Sequence, residues 1–240
     1  MRGCFVTGTD TEVGKTRVSA GLLRRAAQAG LRVAGYKPVS AGMEWVDGHW
    51  VNDDVQTLLA ASNIPLQPHE VGPCQLQEPC APHLAARSAG VSIDRTTLLL
   101  GAQQLSQRAD FIVAEGAGGL CVPLGPDWDS SHLMVALGLP VVLVVGLRLG
   151  CINHALLTAE ALQKRRLRLV GWVGNTVDPD MLHLEGNIDT LRHEFQERFD
   201  ASCLGIVPRL PAATGEAVAP YLDAVALQSL FGSNTLSTSV

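Results

Sequence analysis

The sequence predicts an α/β domain, a single parallel sheet flanked by helices on both faces. Three observations carry that prediction. Short apolar segments alternate with longer helix-patterned ones along the chain. Glycine-containing turns follow several of the apolar segments, where a ligand approaches the carboxyl ends of strands. Residues 140–145, Pro-Val-Val-Leu-Val-Val, show no apolar–polar alternation, so both faces of that strand must be covered.

The elements follow in order. Residues 4–7 read as the opening strand, and a helix over 15–29 is stopped by Gly30. Residues 31–36 form a second strand, closed by Lys37-Pro38. The stretch 39–90 is loop-rich, with one helix over 53–61. A helix over 93–108 leads into a strand over 110–115. Beyond 140–145 come a helix at 152–165, a strand at 167–175, a helix at 182–198 and a last strand at 203–207. No repeat or linker divides the chain, so 1–231 reads as one domain and the Ser-, Thr- and Asn-rich 232–240 as a disordered tail.

Composition narrows the function. Hydrophobic residues make up 47% of the 240 and charged residues 17%, enough for a core and unlike a disordered chain. The net charge of −5 argues against a nucleic-acid partner. The apolar stretch 137–147 is too short to cross a bilayer, and the N-terminus has no signal-peptide pattern. A cytoplasmic protein with no membrane partner is expected. The six cysteines have no metal or disulfide spacing and read as buried free thiols; the seven histidines have no metal spacing either.

Chemistry concentrates after the strands. The first strand runs into Gly8-Thr9-Asp10-Thr11-Glu12-Val13-Gly14-Lys15-Thr16 at the start of a helix. Backbone N–H groups and the positive helix end suit a β-phosphate, Lys15 reaches β- and γ-oxygens, and the Thr16 hydroxyl suits Mg²⁺. Thr9 stands where the strict phosphate-loop pattern has glycine, but the strand–turn–helix context is intact. Glu115 ends a neighbouring strand before Gly116-Ala117-Gly118-Gly119 and is a candidate second metal contact. Lys37 follows another strand and offers a cation for phosphoryl transfer, or a solvated charge on the rim. Asp53 and Asp54 open a helix, where they complement its dipole or reach a metal; spacing does not separate the two readings. Asn175 ends its strand with a donor and an acceptor suited to a purine edge. Neither a nucleophile elbow nor a Cys–His pair occurs.

Together these residues resemble the dethiobiotin synthetases, ATP-dependent enzymes of the P-loop NTPase fold. The likeness rests on the turn from Thr7 to Thr16, Gly35-Tyr36-Lys37-Pro38-Val39, Glu78-Pro79 with Pro82-His83, and Glu115 with its glycines. It continues through residues 140–146, Leu149-Gly150-Cys151-Ile152-Asn153-His154, Gly171-Trp172-Val173 with Asn175, and Gly205 with Pro208. The resemblance implies ring closure of 7,8-diaminononanoate with CO₂ and ATP, through a carbamate and its mixed anhydride with phosphate. It implies Lys37, Lys15 and Thr11 as catalytic residues and Thr16, Asp54 and Glu115 as Mg²⁺ ligands. Glu12, Val13, Gly14, Arg17, Gly116, Ala117, Gly118, Asn175, Thr176 and Pro208 fall to the nucleotide. It also implies a homodimer in which Gly150, Cys151, Ile152 and Asn153 hold the substrate carboxylate across the interface.

Two departures stand out. The family pattern places Ser or Thr at Ala41; here Ser40 comes one residue early, so that hydroxyl is either supplied by Ser40 or lost, at about 1 kcal/mol. The segment 125–134 also departs from the pattern. The rival readings are a P-loop ATPase switch that binds a partner, and a catalytically silent relative.

Overall fold

The computed structural model describes residues 1–211 and 214–232. In chain order the elements are β1 (Gly3–Gly8), α1 (Lys15–Gln28), β2 (Val33–Tyr36), β3 (Val39–Ala41), β4 (Glu44–Val46), β5 (His49–Val51) and α2 (Asp53–Ala61). Then come α3 (Pro68–Val71), β6 (Cys74–Leu76), α4 (Pro82–Ser88), α5 (Arg95–Ser106), β7 (Phe111–Glu115), β8 (Pro123–Gly125), β9 (Trp128–Asp129) and α6 (Ser130–Leu137). The chain continues through β10 (Val141–Leu147), α7 (Cys151–Lys164), β11 (Leu169–Thr176), α8 (Leu184–Phe199), β12 (Ser202–Val207), α9 (Gly215–Val218) and α10 (Gln228–Phe231).

Six strands form the central sheet in the order β12-β11-β10-β1-β7-β2, and every neighbouring pair is parallel. Successive side chains alternate between its faces, and both are apolar. Cys4 and Val6 of β1 join Val18 and Leu22 of α1 and Leu58 of α2 on one side. Phe5, between them, joins Ala102 and Leu105 of α5 on the other. The same division runs along β10: Val142 and Val144 pack on the α1 side, Leu143 and Val145 beneath α7 and α8. This is why 140–145 shows no alternation.

The register of this sheet builds the functional corner. Val6 of β1 lies opposite Glu115 of β7, and Tyr36 of β2 opposite Ala114. The phosphate-loop turn, Glu115 and Lys37 therefore emerge side by side at the carboxyl ends of three adjacent strands. From β1 the chain runs to the β2 edge, and later returns to lay β10 on the opposite side. Open α/β sheets bind ligands at such a reversal.

The loop-rich 39–90 is more ordered than the sequence suggests. β3 pairs in parallel with β6, and β4 with β5 forms an antiparallel hairpin. Its turn residues Asp47 and Gly48 have φ of 47° and 84°, the left-handed pair that a two-residue hairpin requires. Across the hairpin, Trp45 and Trp50 meet edge-on with ring centroids 5.3 Å apart, and both rings are exposed. The Asn52 amide donates to the Gly42 carbonyl at 2.6 Å, closing the hairpin's base, and its Oδ1 caps α2 by accepting from the Val55 N–H.

The cysteine expectation needs correcting. All six are free, but only Cys4 and Cys151 are buried; Cys80 and Cys121 are exposed and Cys74 and Cys203 lie between. Cys80 and Cys121 belong to the short connections between β6 and α4 and between β7 and β8. The tail expectation falls, apart from Gly232, outside the described residues.

Candidate active site

The cleft at the sheet's carboxyl edge measures about 1650 Å³. That exceeds the ~300–1,000 Å³ typical of a pocket for one small ligand, leaving room for a nucleotide and a second molecule. Its floor is the turn from β1 to α1. Gly14 caps α1 with φ 89°, in the left-handed region, and a Cβ there would stand 2.3 Å from the Asn175 amide nitrogen. Only glycine fits, because Asn175 has crossed from β11 to donate to the Val13 carbonyl at 3.0 Å. Glu12 takes φ 58° without being glycine, a strained position of the kind found where backbone surrounds a ligand. No acidic residue lies in the first turn of α1, which leaves its N–H groups for an anion.

The lysines are not on a solvated rim. Lys37 is 2% exposed and Lys15 7%, which corrects the rim placement of Lys37: the turn after β2 directs its side chain inward along the sheet edge. The Lys37 Nζ lies 2.5 Å from Glu115 Oε1 and 2.7 Å from Asp54 Oδ2, with the Gly116 carbonyl at 3.3 Å. Burial disfavours its charge, yet Glu115 and Asp54 outweigh that and hold the ammonium above the ordinary lysine range. Burial also works against the Asp54 carboxylate, and Lys37 with Thr16 more than reverses it, so Asp54 sits below its usual value. Lys15 differs. Burial, with repulsion from Lys37, pulls it down to about 8, and its Nζ donates to the Asp10 carbonyl at 2.9 Å.

Thr16 Oγ1 stands 2.7 Å from both Asp54 Oδ1 and Glu115 Oε1. One hydroxyl proton serves only one of these oxygens, so the other contact sets oxygen against oxygen and calls for a cation. Glu115 Oε2 is buried with no partner among the described residues. Hydroxyl and carboxylate oxygens are the hard donors that Mg²⁺ takes. Among the described residues no three His, Cys, Asp or Glu side chains cluster as a complete metal cage. A shell with few protein ligands, completed by phosphate and water, is the usual Mg²⁺ arrangement, and these residues fit it.

The cleft brings together most of the sequence-predicted residues. Thr11, Glu12, Val13, Gly14, Lys15, Thr16, Arg17, Lys37, Ser40, Ala41, Asp54, Glu115, Ala117, Gly118, Asn175 and Thr176 all line it. Gly116 sits behind, offering its carbonyl to Lys37, and Pro208 is followed by Arg209, Leu210 and Pro211, which do line it. Gly150, Cys151, Ile152 and Asn153 lie outside this cleft at the start of α7, where Gly150 is the left-handed cap and Cys151 is buried. Of the divergent segment 125–134 nothing reaches the cleft; it forms β9 and α6, the latter capped by Asp129.

Sequence reasoning missed several lining residues. Arg148 meets Asp10 Oδ2 at 2.5 Å, and Arg209 donates to the Val177 carbonyl at 2.9 Å. Residues 79–82 and 121–123 form a wall of the cleft. For Arg148 the available signal was its place just beyond a strand end. Ser40 is buried, and its hydroxyl has no partner among the described residues.

A family model described as an AAA domain matches residues 2–217. The ATP-dependent dethiobiotin synthetase BioD of Ralstonia nicotianae is 50% identical over 220 residues, covering 92% of this chain and 94% of that protein. This chain belongs to the dethiobiotin synthetase family. The dethiobiotin synthetase BioD of Aromatoleum aromaticum is 46% identical over 92% of this chain and 96% of its own length. Among solved structures, the MinC:MinD cell division complex of Aquifex aeolicus superimposes with a TM-score of 0.57 at 14% identity, each chain fully covered. MinD of Pyrococcus horikoshii, complexed with Mg-ADP, does so at 0.54 and 15%, covering 95% of this chain and 93% of that one. At such identities the likeness establishes a shared fold and no more.

Proposed function

We propose that this chain converts 7,8-diaminononanoate, CO₂ and ATP into dethiobiotin, ADP and phosphate, the ring-closing step of biotin synthesis that its family name describes. One observation carries the reading beyond family membership: a buried lysine, Lys37, beside a phosphate loop and a carboxylate pair, in a cleft large enough for two ligands. The reaction needs no enzyme nucleophile. A substrate amine and CO₂ give a carbamate, a carbamate oxygen takes the γ-phosphoryl group, and the second amine closes the ring and expels phosphate. Positioning and charge stabilisation supply the rate.

In this reading the N–H groups of Gly14, Lys15 and Thr16 hold the β-phosphate. Lys15, Thr11 and Lys37 converge on the carbamate and the transferring phosphoryl group. Mg²⁺, held by Thr16, Asp54 and Glu115, supplies charge neutralisation at the phosphate oxygens. Glu12, Val13, Arg17, Gly116, Ala117 and Gly118 line the nucleotide's path. Asn175, Thr176 and the turn at Pro208 receive the base. Ser40 and Ala41 face the diamine, and residues 150–153 hold its carboxylate for the partner of a homodimer, at a helix N-terminus suited to an anion. Residues 1–231 act as one domain. The place of work is the cytoplasm; no helix among the described residues is long and apolar enough to cross a membrane.

The test is ADP release measured with the diamine and bicarbonate added singly and together. The synthetase requires both. A partner-binding ATPase switch requires neither, and a silent relative responds to neither.

A further inference from the structure

The cation that faces the carboxylate pair is part of the chain itself. Lys37 Nζ lies 2.5 Å from Glu115 Oε1, the same oxygen that stands 2.7 Å from Thr16 Oγ1. It is also 2.7 Å from Asp54 Oδ2, whose sister oxygen faces Thr16. An ammonium and a metal ion would thus draw on the same two carboxylates. We propose that Lys37 is the resident counter-cation of this pair, and that a divalent ion gains Thr16, Asp54 and Glu115 only in company with nucleotide phosphates. This rests on the assignment of those three residues as metal ligands.

A charge count gives the reason. By formal charge Lys15 and Lys37 contribute two positive charges, and Asp54 and Glu115 two negative ones, so these four side chains balance one another. A bare divalent ion adds two positive charges beside two ammonium groups, in surroundings where Glu115 is fully buried and Lys37 nearly so. Repulsion between buried like charges is weakly screened, and Lys37 already pairs with one oxygen of each carboxylate. A triphosphate brings several negative charges with the metal and removes that objection. It also gives Lys37 a new partner. The side chain is long and flexible, and the Gly116 carbonyl at 3.3 Å offers its ammonium a hold while it moves.

The experiment uses Mn²⁺ as the probe on the full chain, with bound and free ion distinguished by electron paramagnetic resonance. Mn²⁺ alone is expected to bind the wild type at least about tenfold more weakly than the Lys37→Met variant, which leaves the carboxylates uncompensated. Equal binding of Mn²⁺ alone to the two proteins overturns the proposal. Because Lys37→Met can unfold, a second measurement needs only the wild type. Its melting temperature should be unmoved by Mn²⁺ alone, and raised by Mn²⁺ with ADP above the value with ADP alone. A rise with Mn²⁺ alone overturns the counter-cation role and leaves the ligand assignment standing. No gain from Mn²⁺ with ADP overturns the ligand assignment itself, and the proposal with it.

Discussion

The two walls of the cleft are built on different terms. On the phosphate side Lys15, Lys37, Glu115 and Asn175 are buried, and each polar contact is fixed by strand register or by a helix start. The rest of the lining includes short connections, residues 79–82 and 121–123, with exposed thiols at Cys80 and Cys121, and the buried Ser40 of β3, whose hydroxyl has no partner among the described residues. One set of groups is held in paired, buried contacts; the other is built largely from exposed connections. Substitutions on the first should therefore damage both stability and turnover. On the second they should shift substrate affinity alone.

The largest break is expected at Lys37. Lys37→Ala should abolish dethiobiotin formation, and since it strands the buried Glu115 charge it should also cost about 3–5 kcal/mol of stability, read from denaturant unfolding. A variant that melts like the wild type would place Glu115 in a far wetter setting than the one described. Lys15→Ala should abolish turnover with a smaller loss of stability, as among the described residues its ammonium donates only to the Asp10 carbonyl. Next comes Gly14→Ala. Its methyl collides with the Asn175 amide, so ADP affinity measured by calorimetry should fall at least about tenfold. Across the cleft the effects shrink. Ala41→Ser should move the KM for the diamine by no more than about fivefold, downward, with kcat unchanged. If kcat changes instead, the two walls do not differ as described.

The smallest effect calibrates the rest. Asp110, paired with Arg32 on the surface, is held down to about 2 by hydrogen bonds from Arg32. A depressed carboxylate stabilises the fold above its ordinary value of roughly 4 and loses that contribution as pH falls through about 2. Asp110→Asn should leave the melting temperature at pH 7 nearly unchanged, and reduce its decline between pH 4 and pH 2.

The same contrast explains what the sequence made legible. Short apolar runs set between helix-patterned segments, with turn glycines, announced the six sheet strands and α1, α2, α5, α7 and α8, because each hydrophobic pattern there has one packing solution. The meeting of the turn over residues 8–16 with Glu115 could be read directly, since both follow strand ends and the sheet register sets those ends side by side. Asp54 could not be separated from Asp53 by spacing: both begin α2, and only tertiary structure turns Asp54 toward Lys37. The burial of Lys37 was equally hidden, because a lysine after a strand looks the same whether it points out or in. β3, β6, β8 and β9 are two or three residues long and too short to show a period. Arg148 and Arg209 escaped notice because their partners, Asp10 and Val177, lie on other strand connections.

The hairpin of β4 and β5 has a consequence of its own. Its two indoles, held edge-on at 5.3 Å, are close enough for their electronic transitions to mix, and mixed transitions imprint a paired positive and negative band on circular dichroism. Trp172 is buried in the sheet against Phe195 and Trp128 lies in β9; among the described residues neither pairs with another indole. The molecule thus carries an optical signature that belongs to a single ribbon beside the cleft, and the opening of that ribbon can be watched while the rest of the chain stays folded.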